Sequence, residues 1–172
     1  MTTPRFLLAA CLIAGTLVSP PVRAQSPPAK DKKVDRIIVI KSTRTMTLMS
    51  GGKVVRTYKV ALGAVPVGPK RQEGDHKTPE GVYSIQAKIP NSRFHLAVLI
   101  SYPNTTDRER ARKMGVSPGG AIEIHGLGAK YGYIGAAHRL YDWTDGCIAV
   151  TNEEIDEIYP LVQVGTPIEI RP

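Results

Sequence analysis

Short apolar runs with a period of two dominate the chain after residue 33, and they predict strands. "RIIVIK" is a β-branched run, "TMTLMS" alternates, Gly51-Gly52 supplies the positive φ angles of a tight hairpin, and "KVVRTYKVAL" resumes in extended form. The economical reading is a three-stranded meander. "VYSIQAKI" and "FHLAVLI" predict a second pair joined at Pro90-Asn91, and residues 63–81 between the two groups form a loop dense in Gly and Pro. A loop of that length inside a compact domain is more often functional than idle. Thr105 to Met114, rich in Arg, Glu and Lys after an Asn-Thr start, predicts a short exposed helix. "AIEIHG" is a strand with Ile122 and Ile124 on one face and Glu123 and His125 on the other. After the short strand "CIAV", Thr151 and Glu154 form a capping box, and Ile155, Ile158, Tyr159 and Val162 form a helical stripe in which Pro160 should kink the helix or end it early. "GTPIEI" closes the chain as a strand. The sum is a mainly β, sandwich- or barrel-like domain with two short helices.

The first 24 residues break this pattern. Arg5 and Arg23 flank an apolar run from Phe6 to Val18, with Val22-Arg23-Ala24 at its end and no acidic residue. This is the arrangement of a secretory signal peptide, cut after Ala24, and the run is shorter than the roughly 20 residues of a membrane span. Leu8-Ala9-Ala10-Cys11 has the look of a lipoprotein cleavage site, but cutting there strands Leu12 to Val18 on the mature protein. Residues 25–33 read as a polar, proline-containing linker, and 34–172 as one folded domain. Without Arg5 and Arg23, 21 basic residues stand against 15 acidic ones, a net charge of about +6 with His neutral. That charge suits an anionic cell-wall partner and equally a merely soluble surface. With no basic helix, two Phe and one Trp, nothing resembles a nucleic-acid module.

Loss of the leader leaves Cys147 as the only cysteine. Structural cysteines in oxidising surroundings come in pairs, so a solitary thiol is either buried or chemically employed. Cys147 follows Gly146, where a tight turn and close approach by a substrate are easy, and the amides of Gly146 and Cys147 are positioned to receive a developing oxyanion. A thiol needs a base. His125 and His138 lie 22 and 9 residues upstream, and the long loop after Gly126 would return beside the end of the His125 strand, which favours His125. A zinc site is disfavoured, since no Cys-x-x-Cys or His-x₃-His spacing is present. Trp143, Tyr131, Tyr133 and Tyr141 would line a glycan or peptide groove or pack the loop. His76 and His95 read as a loop and a strand histidine.

"HKTPEGVY", "IEIHG", "WTDGCIAVTNEEID" and "VGTPIEI" together resemble, in order and spacing, the L,D-transpeptidase catalytic domain (YkuD-type) of bacterial cell-wall enzymes. The resemblance covers residues 34–172. It implies a β-sandwich-like domain, exported to the periplasm or cell wall, in which a cysteine attacks the peptide bond after the L-centre of diaminopimelate in a tetrapeptide stem of peptidoglycan. D-Alanine leaves, and the acyl group passes to another stem, to a lipoprotein or other protein amine, or to water. By position, Cys147 is the nucleophile, His125 the base, and the amides of Gly146 and Cys147 the oxyanion hole. No metal or organic cofactor is implied, nor any nucleic acid or stable membrane span after signal cleavage.

Much of that family has Ser-His-Gly-Cys with Arg two positions on, whereas this chain reads Thr144-Asp145-Gly146-Cys147 and then Ala149. Asp145 is unfavourable beside a thiolate. His138 and Arg139 are the expected substitutes, Arg139 pairing a stem carboxylate and His138 balancing Asp145, with Thr144 and Trp143 flanking the substrate. Hydrolysis of such linkages by a carboxypeptidase or amidase, and non-catalytic wall binding, are the competing functions.

Overall fold

A computed structural model describes residues 33–172; the leader and most of the linker lie outside the described residues. The meander forms as expected from β1 (Arg36–Ile40), β2 (Thr45–Ser50) and β3 (Lys53–Lys59). The turn Gly51-Gly52 joins β2 to β3 at φ 56 and 73°. Next come β4 (Gly81–Ser92), β5 (His95–Ile100), α1 (Thr105–Met114), β6 (Glu123–His125), β7 (Ile148–Ala149), α2 (Asn152–Leu161) and β8 (Pro167–Arg171).

The strands form one curled sheet in the order β3-β2-β1-β8-β4-β5-β6-β7. The β1/β8 and β6/β7 pairs are parallel. Beyond β3 the chain returns to the far edge, where Ala61 and Ala149 exchange backbone hydrogen bonds of 3.0 and 2.9 Å. That bridge makes the sheet a half-barrel around Ile37, Leu48, Ile85, Ile100, Ile124, Ile148 and Ile168, all fully buried. Ile155 and Ile158 of α2 close the same core. The alternation read from the sequence is therefore one apolar face wrapped inward.

Two expectations change. Pro90 and Asn91 do not turn the chain; they lie within β4, and the turn is at Arg93-Phe94. The ladder to β5 is irregular between Ile89 and Ser92, and β8 covers β4 only from Gly81 to Ser84. Pro90 therefore lies in a bulge where its missing N–H leaves no gap in a ladder. A third helix, a kinked 3₁₀ stretch, occupies Gly132–Leu140 within the segment read as loop. Pro160 is tolerated because α2 ends one residue later, and Val162 N–H bonds back to Ile158 O. Both capping boxes are present, Asn104 with Asp107 on α1 and Thr151 with Glu154 on α2.

The long loop 63–81 is folded by buried lysines. Lys41 Nζ reaches the carbonyls of Gly68 and Thr78 and the Glu80 carboxylate at 2.7, 3.0 and 2.8 Å. Lys70 pairs with Asp75 at 2.8 Å, and Asp75 also accepts the amides of Arg71, Gln72 and Lys77. Burying an ammonium is tolerable only with partners of this kind. The result is a shaped wall beside β7.

Candidate functional site

Register sets the sequence-predicted pair on one face of neighbouring strands. On the adjacent parallel strands β6 and β7, His125 lies opposite Ala149 and Ile124 opposite Ile148. Side chains alternate, so Ile124 and Ile148 enter the core, and the β-register places Cys147 on the face of Glu123 and His125. His125 is 1% exposed. Its Nδ1 lies 2.7 Å from Gly126 O. A carbonyl only accepts, so Nδ1 carries the proton and Nε2 presents its lone pair, the tautomer a general base requires. Glycine is needed at 126, because a Cβ there would fall 2.6 Å from Asn152 Oδ1 and 2.9 Å from Phe94 O. Asn152 Oδ1 also accepts the Leu127 amide at 2.8 Å, so the first turn of α2 buttresses the base.

The Cys147 thiol donates to Ala121 O at 3.6 Å. Burial pushes its pKa up to about 11; the Glu123 amide and Arg93 oppose this, and the charges of Glu123 and Asp145 reinforce it. Burial likewise holds the His125 imidazole down at about 4, against the Gly126 hydrogen bond and aided by Arg93. Both shifts favour the neutral forms, thiol and imidazole, at pH 7. Alkylation of Cys147 by iodoacetamide should then rise about tenfold per pH unit from pH 7 through pH 10. Intact-mass kinetics would show it. A plateau between pH 6 and 8 would reveal a resting thiolate–imidazolium pair and refute the neutral one.

The turn preceding Cys147 is held from two sides. Thr144 Oγ1 donates to Cys147 O at 2.8 Å and accepts the Gly146 amide at 3.1 Å. The Gly146 amide, expected free for an oxyanion, is thus engaged by Thr144. On the other side Lys77 O packs against Gly146, whose φ is +126°. The same loop carries His76, whose Nδ1 pairs with Asp145 Oδ1 at 2.7 Å. His76, read as a loop histidine, is the imidazole hydrogen-bonded to Asp145, the place expected for His138. The clue available was "HKTPEGVY" itself, but the pairing joins residues 69 apart in sequence. His95, a strand histidine, pairs with Asp156 at 2.7 Å.

Arg139 is also elsewhere. Its guanidinium pairs through Nη2 with Glu154, the capping residue of α2, which ties the 3₁₀ stretch to the helix, while Nε is buried without a partner. His138 is buried, receives the Trp143 indole N–H on Nδ1 at 3.4 Å, and leaves Nε2 without a partner. Burial and the neighbouring Arg139 hold its pKa down at about 4. Trp143 stands edge-on to His125 with ring centroids 6.0 Å apart. Together with Phe94, Leu127, Tyr131, His138 and Tyr141 it lines a pocket of about 280 Å³. Tyr133 points to solvent. Sequence reasoning missed Phe94, which stacks on His125 at 4.1 Å and carries the Arg93 guanidinium 4.6 Å over its ring. Nothing in a strand-like "FHLAVLI" marks its first residue as part of a site.

A family model for the L,D-transpeptidase catalytic domain (YkuD) matches residues 34–170. YafK of Escherichia coli (strain K12), a relative named for the same family, is 33% identical over 133 residues, 73% of this chain and 46% of YafK. The chain thus spans about half the length of that relative. Among solved structures, the helical cell shape determining protein Pgp2 of Campylobacter jejuni is similar with a TM-score of 0.60 and 26% identity, covering 81% of this chain and 48% of Pgp2. Bd1075 of Bdellovibrio bacteriovorus follows at 0.57 and 25%, covering 83% and 49%. An L,D-transpeptidase of Mycobacterium smegmatis, at 0.54 and 19% over 82% of this chain and 59% of its own, shares the fold. Matched by that model over residues 34–170 and sharing 33% identity with YafK over 73% of its length, the chain belongs to the family of L,D-transpeptidase catalytic domains.

Proposed function

We propose that this chain is an exported cysteine acyltransferase of peptidoglycan stem peptides, with Cys147 as nucleophile and His125 as base. The observation that carries the reading is the His125 tautomer: Nδ1 is fixed by Gly126 O, so the basic Nε2 belongs to a residue on the face and strand edge shared with the only cysteine of the described domain.

The steps follow from the neutral pair. Cys147 Sγ attacks the carbonyl carbon after the L-centre of a tetrapeptide stem while its proton passes to His125 Nε2. The Cys147 amide is the proposed donor to the oxyanion, since the Gly146 amide is already bound to Thr144 Oγ1. Collapse breaks the peptide bond, the departing D-alanine amine takes the proton from His125, and a thioester remains. An amine of a second stem or of a protein then attacks the thioester, returns a proton through His125, and releases Cys147. Water in place of the amine gives the hydrolytic outcome.

A disaccharide-tetrapeptide donor, incubated with and without an acceptor amine, tests this. D-Alanine release with a transient thioester on Cys147, and a new amide product only when the amine is present, is the expected result. Tripeptide alone in both incubations would assign the site to hydrolysis. Binding with neither adduct nor D-alanine would make the chain a wall-binding module.

A further inference from the structure

We propose that Arg93, rather than Arg139, holds a carboxylate of the substrate beside Cys147 and His125, so that the site selects donors with a free carboxylate. The identity of the ligand rests on the stem-peptide reading above.

The cations of the site region are mostly committed. Lys41 and Lys70 are buried against Glu80 and Asp75, Arg44 pairs with Asp142, and Arg139 with Glu154. Among the described residues no carboxylate forms an ion pair with Arg93. Its guanidinium lies 4.6 Å over the Phe94 ring, and that ring stacks on the His125 imidazole at 4.1 Å and 23° between planes. Stacking leaves the N–H edge of a guanidinium open to fork a carboxylate, and it removes freedom that binding would otherwise have to freeze.

The support beneath Arg93 is fixed by backbone. Ser92 pairs with His95 across the β4–β5 turn, and Ser92 Oγ accepts the Phe94 amide at 3.1 Å. Arg93 O packs so closely on Gly128 that a Cβ there would fall 2.3 Å away, and Phe94 O packs on Gly126, the residue that sets the His125 tautomer. The turn that presents the cation and the turn that orients the base are thus one packed unit. The carboxylate facing this unit is Glu123 from β6, whose carboxyl burial raises and Arg93 lowers. Arg93 is the cation whose field reaches Cys147, His125 and Glu123 alike.

The test uses the full chain carrying Cys147→Ala, so that binding is read without turnover, with tetrapeptide stems bearing free or fully amidated carboxylates. Calorimetry should show the acid bound about 10- to 100-fold more tightly than the amide. Adding Arg93→Met, which keeps an apolar stem over Phe94, should abolish that preference by weakening the acid alone, and Arg93→Lys should restore only part of it. A preference that survives Arg93→Met, equal binding of acid and amide by the Arg93 protein, or no binding of the acid would each overturn the assignment. D-Alanine release by the unsubstituted chain judges the acyl-transfer reading separately, because a carboxylate preference that depends on Arg93 can stand where no thioester forms.

Discussion

Cys147→Ala is expected to lower D-alanine release from a tetrapeptide donor by roughly 10⁴-fold or more, to the background without protein. On the proposed mechanism the thiol forms the acyl bond, and His125, held near pKa 4, is too weak a base to recruit water in its place at useful rates. The substitution removes little else. Thr144 grips the backbone carbonyl of residue 147, and Cys147 is only partly buried, so Tm should shift by no more than about 2 °C. Cys147→Ser should fare nearly as badly, because a neutral imidazole of low basicity activates an alcohol far less readily than a thiol. Residual activity within tenfold of the parent would end the assignment of Cys147 as nucleophile.

Gly146→Ala is expected to cost about 3–5 kcal/mol of unfolding free energy as well as activity. Two independent effects add here. The backbone at φ +126° is nearly closed to L-residues with a Cβ, and that Cβ would lie 2.6 Å from Lys77 O and 3.1 Å from Ile122 Cδ1. Lys77 cannot yield easily, since its own amide is bound to Asp75 and the next residue, Thr78, is bound by both Lys41 and the Gly63 amide. Gly52→Ala is the control. At φ +73° with nothing within 4 Å, it should cost only about 1 kcal/mol. Urea unfolding of the two variants would compare them; equal losses would mean that the loop 63–81 does not press on the cysteine turn.

Much of this architecture was legible in the residues. A β-branched run located β1 and alternation located β2, Asn104 and Thr151 marked helix starts through bonds that span three residues, and Cys147 stood out as a solitary thiol after a glycine, with His125 before one. Local chemistry wrote those features, so local reading recovered them. What escaped depends on pairings between distant segments. Asp145 meets His76 from a loop fixed by Lys41, just past the end of β1, and no spacing rule links those residues. Arg139 was expected beside the substrate from its nearness in sequence to Cys147, yet the 3₁₀ stretch turns it toward Glu154. Pro90-Asn91 looked like a turn because its dipeptide chemistry is that of turns, and only the absence of a second neighbouring strand at that point of β4 makes it acceptable in extended form.

The position of β8 governs when this protein can become itself. Residues 167–171 are inserted between β1 and β4, so the meander and the strands bearing the site have no common spine until the final stretch of the domain has been synthesised. A nascent chain still threaded through the ribosomal tunnel holds those residues back, and until they emerge the halves can be joined only through side contacts such as the Ala61–Ala149 and Gly63–Thr144 bridges. Sequence-distant pairings of this kind are expected to form late in folding.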